Sequence, residues 1–465
     1  MACPSIHVLL YPLPPSGHVI PILDLARRLL SRPGLTVTVL VTPATLPILE
    51  PFLSAHPSPS LQHLVLPAPP RPPPSVAPID NLLTTIRGFR DLHSPALVEW
   101  FGSQASPPDV IVSDFLFGWT DKLARQLGIP RVVFSPCSAS YLSIAFSLWR
   151  DLPELKDTPE VSFPDLPDCP SYPSWQLSEV YVEAGDSTME FHRDIIVADV
   201  ESWGVLFNSF AELELDYIDH TKRDYGHDRV WAVGPLMPPD DDQCAPASRG
   251  GPTSLPADDV LAWLDSCPDG SVVYVCFGSR TVLTRKQMDE LAAALDLSGV
   301  RFVLCVKDPG ENKVEADYGK VPDGFEDRVS GRGLVIRGWA PQVLILRHRA
   351  VCAFLTHCGW NSVMEGIMAG VVMLTWPIGA DQYPNAKLLV DQLGVGIRVG
   401  EGTKKIPEAA ELSRILRDSI SATRPEMVRA GEISKVAVSA IKPGGSSEHD
   451  LDDFIKRVYE VKISK

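Results

Sequence analysis

The chain is short of positive charge. Its 465 residues carry 42 Lys and Arg against 58 Asp and Glu, a formal net charge of −16. Nucleic acids and anionic membranes reward basic surface, so neither is an expected partner. A polyphosphate ligand would have to be held by local donors, not by the overall field. Cysteine is sparse too: nine residues, an odd number, run from Cys3 to Cys358 with no C-x-x-C pair. That argues against a disulfide framework or a zinc site and fits a reduced, cytoplasmic chain. No apolar run reaches the roughly 18 residues of a membrane span. Met1-Ala-Cys-Pro-Ser-Ile-His7 lacks the basic and apolar regions of a secretory signal. Nucleotide fingerprints of the G-x-G-x-x-G and P-loop types are missing, as are histidine-rich metal clusters. A dehydrogenase reading therefore has little support.

What is present is ordinary globular material, 45% hydrophobic and 22% charged, enough for sizeable cores. The length suggests two or three domains at about 100–200 residues each. Short β-rich runs alternate with helical spacing. His7–Leu13, Thr36–Thr42, Asp109–Asp114, Arg131–Phe134, Val205–Asn208 and Val230–Val233 read as strands, and Ile22–Leu30 reads as a helix. Pro67–Pro78 and Pro153–Pro173 are broken by prolines and read as loops. Apolar periodicity stops between Pro238 and Pro256 and polar, flexible residues take over, as in a linker. The acidic run Asp240–Asp242 within it reads as solvated charge. Then the alternation restarts with Ser271–Phe277, Arg301–Val306, Leu334–Ile336, Val351–Leu355 and Val372–Thr375. The expected organisation is an α/β N-terminal half over 1–240, a linker over 241–256 and a second α/β half over 257–447. An amphipathic final segment, 448–465, is expected to pack back on the first half. Strand–helix alternation of this kind builds parallel sheets. Ligands then bind at the carboxyl ends of strands, and a cleft between the two halves is the expected site.

Two constellations carry chemistry. The first runs from Trp339 to Gln382. A buried strand ends in Thr356-His-Cys-Gly359, and helical spacing begins at Trp360. Strand, glycine turn and helix start make an anion site from free backbone N–H groups and the helix dipole. His357, Asn361 and Ser362 add side-chain donors. Glu365, four residues after Asn361, shares its helix face and is placed to accept from ribose hydroxyls. Trp339, before a proline-started helix, can stack on a base. The second constellation is Pro14-Pro-Ser-Gly-His18, just after the first strand. A neutral imidazole suits proton abstraction from an alcohol or phenol near pH 7. Asp114, ending another strand of the same sheet, is the candidate carboxylate to orient it. Phe115, Phe117, Trp119, Tyr141, Phe146 and Trp149 cluster around these strand ends. They fit core packing and an apolar acceptor pocket equally well.

The stretch Trp339–Gln382 resembles the 44-residue signature box of plant family 1 UDP-glycosyltransferases. The likeness extends over essentially the whole chain. It implies an α/β fold of two Rossmann-like domains facing across a cleft, the GT-B arrangement. It also implies roles residue by residue. Trp339 stacks on uracil, and the Ala340 backbone pairs with its edge. Gln342 and Glu365 hold the ribose. His357, Asn361, Ser362 and Ser279 bind the diphosphate, and Trp360, Asp381 and Gln382 contact the sugar. Gln382 at the end of the box favours glucose. The Ser135–Ser138 loop is placed near the sugar or β-phosphate. His18 and Asp114 form the base and its orienting acid. The implied reaction is inverting transfer of glucose from UDP-glucose to a hydroxyl of a small hydrophobic, phenolic or flavonoid, acceptor. It needs no metal or cofactor, and the protein is expected as a monomer. C-glycosylation of an aromatic acceptor and use of UDP-rhamnose or UDP-xylose remain open alternatives. A non-catalytic sugar-nucleotide binder is the reading from a different class. Arg347-His-Arg349 and Gly370-Val-Val372 depart from the family pattern and bear on local geometry, not chemistry.

Overall fold

The computed structural model describes residues 5–70, 72, 78–151, 159–177, 181, 186–238, 249–250, 252–307 and 318–464. The chain divides into two compact units, Met1–Met237 with Ala440–Lys465, and Pro238–Ser439.

The first unit is built on a seven-stranded parallel sheet. Its strands are β1 (Ile6–Tyr11), β2 (Leu35–Val41), β3 (Leu61–Val65), β4 (Val110–Asp114), β5 (Arg131–Ser135), β8 (Gly204–Phe207) and β9 (Val230–Ala232). A small antiparallel hairpin, β6 (Glu160–Ser162) and β7 (Ser171–Pro173), stands apart. The order across the large sheet is β3-β2-β1-β4-β5-β8-β9. Strands covered by helices on both faces need unbroken apolar runs, and β1 is buried along its whole length. His7 is tolerated there because its imidazole bonds Thr38 Oγ1 at 2.8 Å and Ser106 O at 3.0 Å.

The second unit repeats the plan with six parallel strands. These are β10 (Val272–Cys276), β11 (Arg301–Val306), β12 (Gly333–Arg337), β13 (Val351–Thr356), β14 (Val372–Thr375) and β15 (Gly396–Arg398). Their order is β12-β11-β10-β13-β14-β15. Both sheets place the first strand beside the fourth of their series. At that point the connections leave in opposite directions and a crevice opens beyond the carboxyl ends. In the first unit the point lies between β1 and β4, and in the second between β10 and β13.

The final helix, Ser446–Ile463, belongs to the first unit. It buries Leu451, Phe454 and Val458, one stripe at helical spacing. Phe454 meets the Trp231 ring edge-on at 5.3 Å, and Trp231 Nε1–H donates to Asp453 Oδ2 at 2.9 Å.

Some local expectations need correction. The helix read from Ile22 begins at Ser16 and carries Pro21 inside it. The N–H groups of His18 and Val19 both donate to Pro15 O, so the first turn closes before the proline. The loop read over Pro67–Pro78 gives way at Pro78 to a helix that runs to Ser103. Part of the Pro153–Pro173 loop forms the β6–β7 hairpin. The edge strands β3 and β15 were not read from the sequence; both are short, and β3 is half exposed and polar. Asp240–Asp242, and linker residues 241–248 and 251, lie outside the described residues.

Candidate active site

The switch point of the first sheet brings His18 and Asp114 together. β1 pairs with β4, with Tyr11 opposite Ser113. The helix leaving β1 therefore carries His18, its third residue, over the end of β4. His18 Nδ1 lies 2.7 Å from Asp114 Oδ2. The Asp114 side chain is 0% exposed and that of His18 19%. Asp114 Oδ1 accepts from the Leu116 backbone N–H at 3.0 Å, which starts the turn Phe115–Phe117. The Phe115 ring lies parallel to the imidazole, 6.2 Å between centroids and 9° between planes. A carboxylate can only accept, so in the neutral imidazole it is Nδ1 that carries the hydrogen and Nε2 that offers a lone pair. That is the tautomer and posture of a general base.

Beneath this pair lies a buried network. Arg131 donates to Asp199 Oδ1 and Ser202 Oγ, each at 2.7 Å, and to Ser113 Oγ at 2.9 Å. It holds the end of β4 from below.

The aromatic cluster resolves mostly into core. Phe117 packs with Tyr11, Phe89 and Trp119 at centroid distances of 4.6–6.0 Å. Phe115, Phe117, Trp119, Phe146 and Trp149 are all buried, and only Tyr141 is half-buried. The Ser135–Ser138 loop leads into the helix Ala139–Asp151. That helix offers its first N–H groups to an internal anion: Glu214 accepts from Ala139 and Ser140 at 3.1 and 2.9 Å. Burial raises the Glu214 carboxyl above its usual range.

The switch point of the second sheet gathers most of the residues expected to bind UDP. β13 ends at Thr356, and Cys358, with φ +66°, turns the chain into the helix Trp360–Ala369. Its N-cap is Gly359, which has no side chain to close the helix start. His357 lies against two glycines: a Cβ on Gly278 would stand 2.5 Å from His357 Nε2, and one on Gly359 2.6 Å from it. A side chain at either position would push the imidazole out. Burial lowers the His357 pKa to about 4, and its Nδ1 has no hydrogen-bond partner among the described residues. Near pH 7 His357 is therefore a neutral donor or acceptor, not a cation. Ser279, in the loop after β10, is exposed, and its carbonyl accepts from Lys307 Nζ at 3.3 Å.

Gln342 begins the helix Gln342–Arg347 and bridges to the next helix. Its Nε2 donates to Ser362 Oγ at 3.1 Å and to Glu365 Oε2 at 2.6 Å, and its Oε1 accepts from Tyr274 OH at 3.1 Å. Trp339 is half-buried, with its N–H held by Ser254 Oγ at 2.8 Å. Ala340, Ser362 and Trp360 are buried. Asn361 stands on the first turn of the helix. Gln382 Oε1 accepts from the N–H groups of Ile378 and Gly379 at 2.8 and 3.0 Å. Asp381 Oδ2 accepts from Asn385 Nδ2 at 2.8 Å, and that same nitrogen donates to Cys358 O at 2.9 Å. The loop with Asp381 and Gln382 is thus tied to the turn after β13.

Sequence reasoning missed two participants. Tyr274 reads only as an inward residue of β10. Arg249 sits in the polar segment taken as linker, yet it pairs with Glu365 and accepts from Trp339 Nε1 at 3.1 Å. No periodicity marks either role.

Comparison with known proteins identifies relatives over nearly the whole chain. A family model described as UDP-glucoronosyl and UDP-glucosyl transferase matches residues 243–419. Flavonol 3-O-glucosyltransferase UGT89B1 of Arabidopsis thaliana is 48% identical over 474 residues, 99% of this chain and 97% of that protein. UDP-glycosyltransferase 89B2 of Stevia rebaudiana is 49% identical over 464 residues, 97% of each. The crystal structure of Arabidopsis thaliana UGT89C1 complexed with UDP-L-rhamnose is similar at a TM-score of 0.80 and 38% identity. It covers 98% of this chain and 100% of that one.

Proposed function

Since the chain belongs to the plant family 1 UDP-glycosyltransferases, we propose that it transfers glucose from UDP-glucose to a hydroxyl of a small hydrophobic acceptor, a phenol or flavonoid. The observation that carries this reading is the His18–Asp114 pair, 2.7 Å apart at the switch point of the first sheet.

In this reading the acceptor hydroxyl donates to His18 Nε2. As that proton leaves, the oxygen attacks the anomeric carbon and UDP departs from the opposite face. One displacement inverts the centre, so an α-linked donor gives a β-O-glucoside. Asp114 stabilises the imidazolium through Nδ1–H. General-base help of this kind is worth about 10²–10⁴-fold. The departing diphosphate gains charge and is met by the uncapped helix start at Gly359–Ser362, by neutral His357 and by Ser279. Trp339 and Ala340 take the uracil, Gln342 and Glu365 the ribose, and Trp360, Asp381 and Gln382 the sugar. No step calls on a metal. Residues 1–240 would serve the acceptor and 257–447 the donor, with 241–256 between them and 448–465 returning to the first half.

A second donor, UDP-rhamnose, is favoured by the likeness to the UDP-L-rhamnose-bound structure. The test is turnover of UDP-glucose and UDP-rhamnose against flavonols and phenolic acids, wild type beside His18→Ala, with products read by mass spectrometry. Glucoside formation that His18→Ala abolishes, with UDP binding retained, supports the proposal. Full activity in His18→Ala overturns the base assignment, and rhamnoside as the main product overturns the donor assignment.

A further inference from the structure

Glu365 holds two partners within its own unit. Its Oε1 accepts from Arg249 Nη1, and its Oε2 from Gln342 Nε2 at 2.6 Å. The pair is well covered, with side chains 8% and 5% exposed for Arg249 and Glu365. Arg249 also reaches the other end of the nucleoside pocket, because its carbonyl accepts from Trp339 Nε1–H at 3.1 Å. One residue of the segment between the two sheets thus touches the base-stacking ring and the ribose-binding carboxylate together.

A ribose diol brings two neutral donors to Glu365. A guanidinium brings a charge, and charge-assisted bonds are about twice as strong as neutral ones. In a covered site a carboxylate separated from its cation is costly unless other donors replace it. A ribose diol that approaches Glu365 thus meets a carboxylate already bonded at both oxygens.

We infer that Arg249 is a donor-site residue: its ion pair with Glu365 opposes a UDP-sugar, whose ribose must displace the guanidinium to bond that carboxylate. This rests on the reading of Glu365 as the ribose acceptor. Displacement reduces apparent affinity by the fraction of molecules in which Glu365 is unoccupied. If that fraction is on the order of 3–30%, freeing Glu365 tightens UDP binding about 3- to 30-fold.

The test is calorimetric titration of UDP and of 2′,3′-dideoxy-UDP into the full chain as wild type, Arg249→Ala and Arg249→Gln. Thermal melting verifies that each variant is folded. Loss of a positive charge alone weakens a diphosphate, and the dideoxy ligand, having no ribose hydroxyls for Glu365, measures that effect separately. The expected result is UDP binding about 3- to 30-fold tighter in both variants, with dideoxy-UDP unchanged or weaker. UDP affinity that stays the same or falls overturns the inference, as does an equal gain for the dideoxy ligand. Failure of the wild type to bind UDP at all would instead remove the donor-site reading on which the inference stands.

Discussion

Asp114→Asn is a nearly isosteric change whose consequence follows from two hydrogen bonds. Asp114 Oδ1 accepts from Leu116 N–H at 3.0 Å, and Oδ2 from His18 Nδ1 at 2.7 Å. Asparagine has one oxygen and one NH₂ group to offer in their place. If the oxygen turns to His18, the NH₂ faces the Leu116 N–H and a buried donor is left unmatched, at about 1–3 kcal/mol. The favoured rotamer therefore gives the oxygen to Leu116 and points NH₂ at His18. Nδ1 must then accept, the ring proton moves to Nε2, and the base is lost. At about 1.4 kcal/mol per tenfold, rotamer preference alone leaves about one molecule in 5 to one in 150 with the working tautomer. Even those lack the carboxylate that stabilises the imidazolium. The expected kcat loss is about 10²–10⁴-fold, with the Kd for UDP within about twofold because the residues proposed to hold the nucleotide lie in the other unit. The assay is UDP release with a competent acceptor, beside UDP titration. A kcat within fivefold of wild type would refute the tautomer argument.

Three further outcomes are expected. His357 has a folded pKa of about 4 against an ordinary value near 6.5. The folded state thus binds fewer protons, and its contribution is complete above about pH 6.5 and lost as pH falls towards 4. Urea melts at pH 7.5 and 4.5 should show wild type losing more stability than His357→Gln, by at most about 3 kcal/mol. Gly359→Ala puts a methyl 2.6 Å from His357 Nε2; its φ of −61° tolerates alanine, so the fold survives while UDP affinity falls about tenfold or more, read by calorimetry. Phe454→Ala removes a buried ring from the packing of the last helix on Trp231 and should cost about 3–5 kcal/mol in the denaturant melt of the first unit.

Much of this architecture was readable from one chain because parallel sheets write themselves plainly. Val351–Leu355 and Val132–Phe134 are unbroken apolar runs, and each gives way to polar residues and a glycine or proline. Position along those runs also picked out the candidate residues, since Asp114 ends a strand and His18, Ser279 and His357 follow strand ends. β3 escaped notice because Gln62, His63 and Val65 face water and two of them are polar, which breaks the apolar run. The helix read over Ile22–Leu30 starts earlier, at Ser16, and accommodates Pro21 because its first turn already closes on Pro15.

The sequence by itself determined the two-sheet α/β plan, the glycine turn before Trp360 and the residue types of both constellations. Only the tertiary structure decided which of them meet. Strand order put β1 beside β4, and so His18 beside Asp114, although 96 residues separate them. The same ordering set Gly278 against His357. Burial made His357 neutral, turned Phe117 and Trp149 into core, and filled the helix start after β5 with Glu214. It also joined Arg249, a residue with no local signal, to Glu365. These outcomes depend on packing between elements distant in the chain, and local periodicity contains no information about such neighbours.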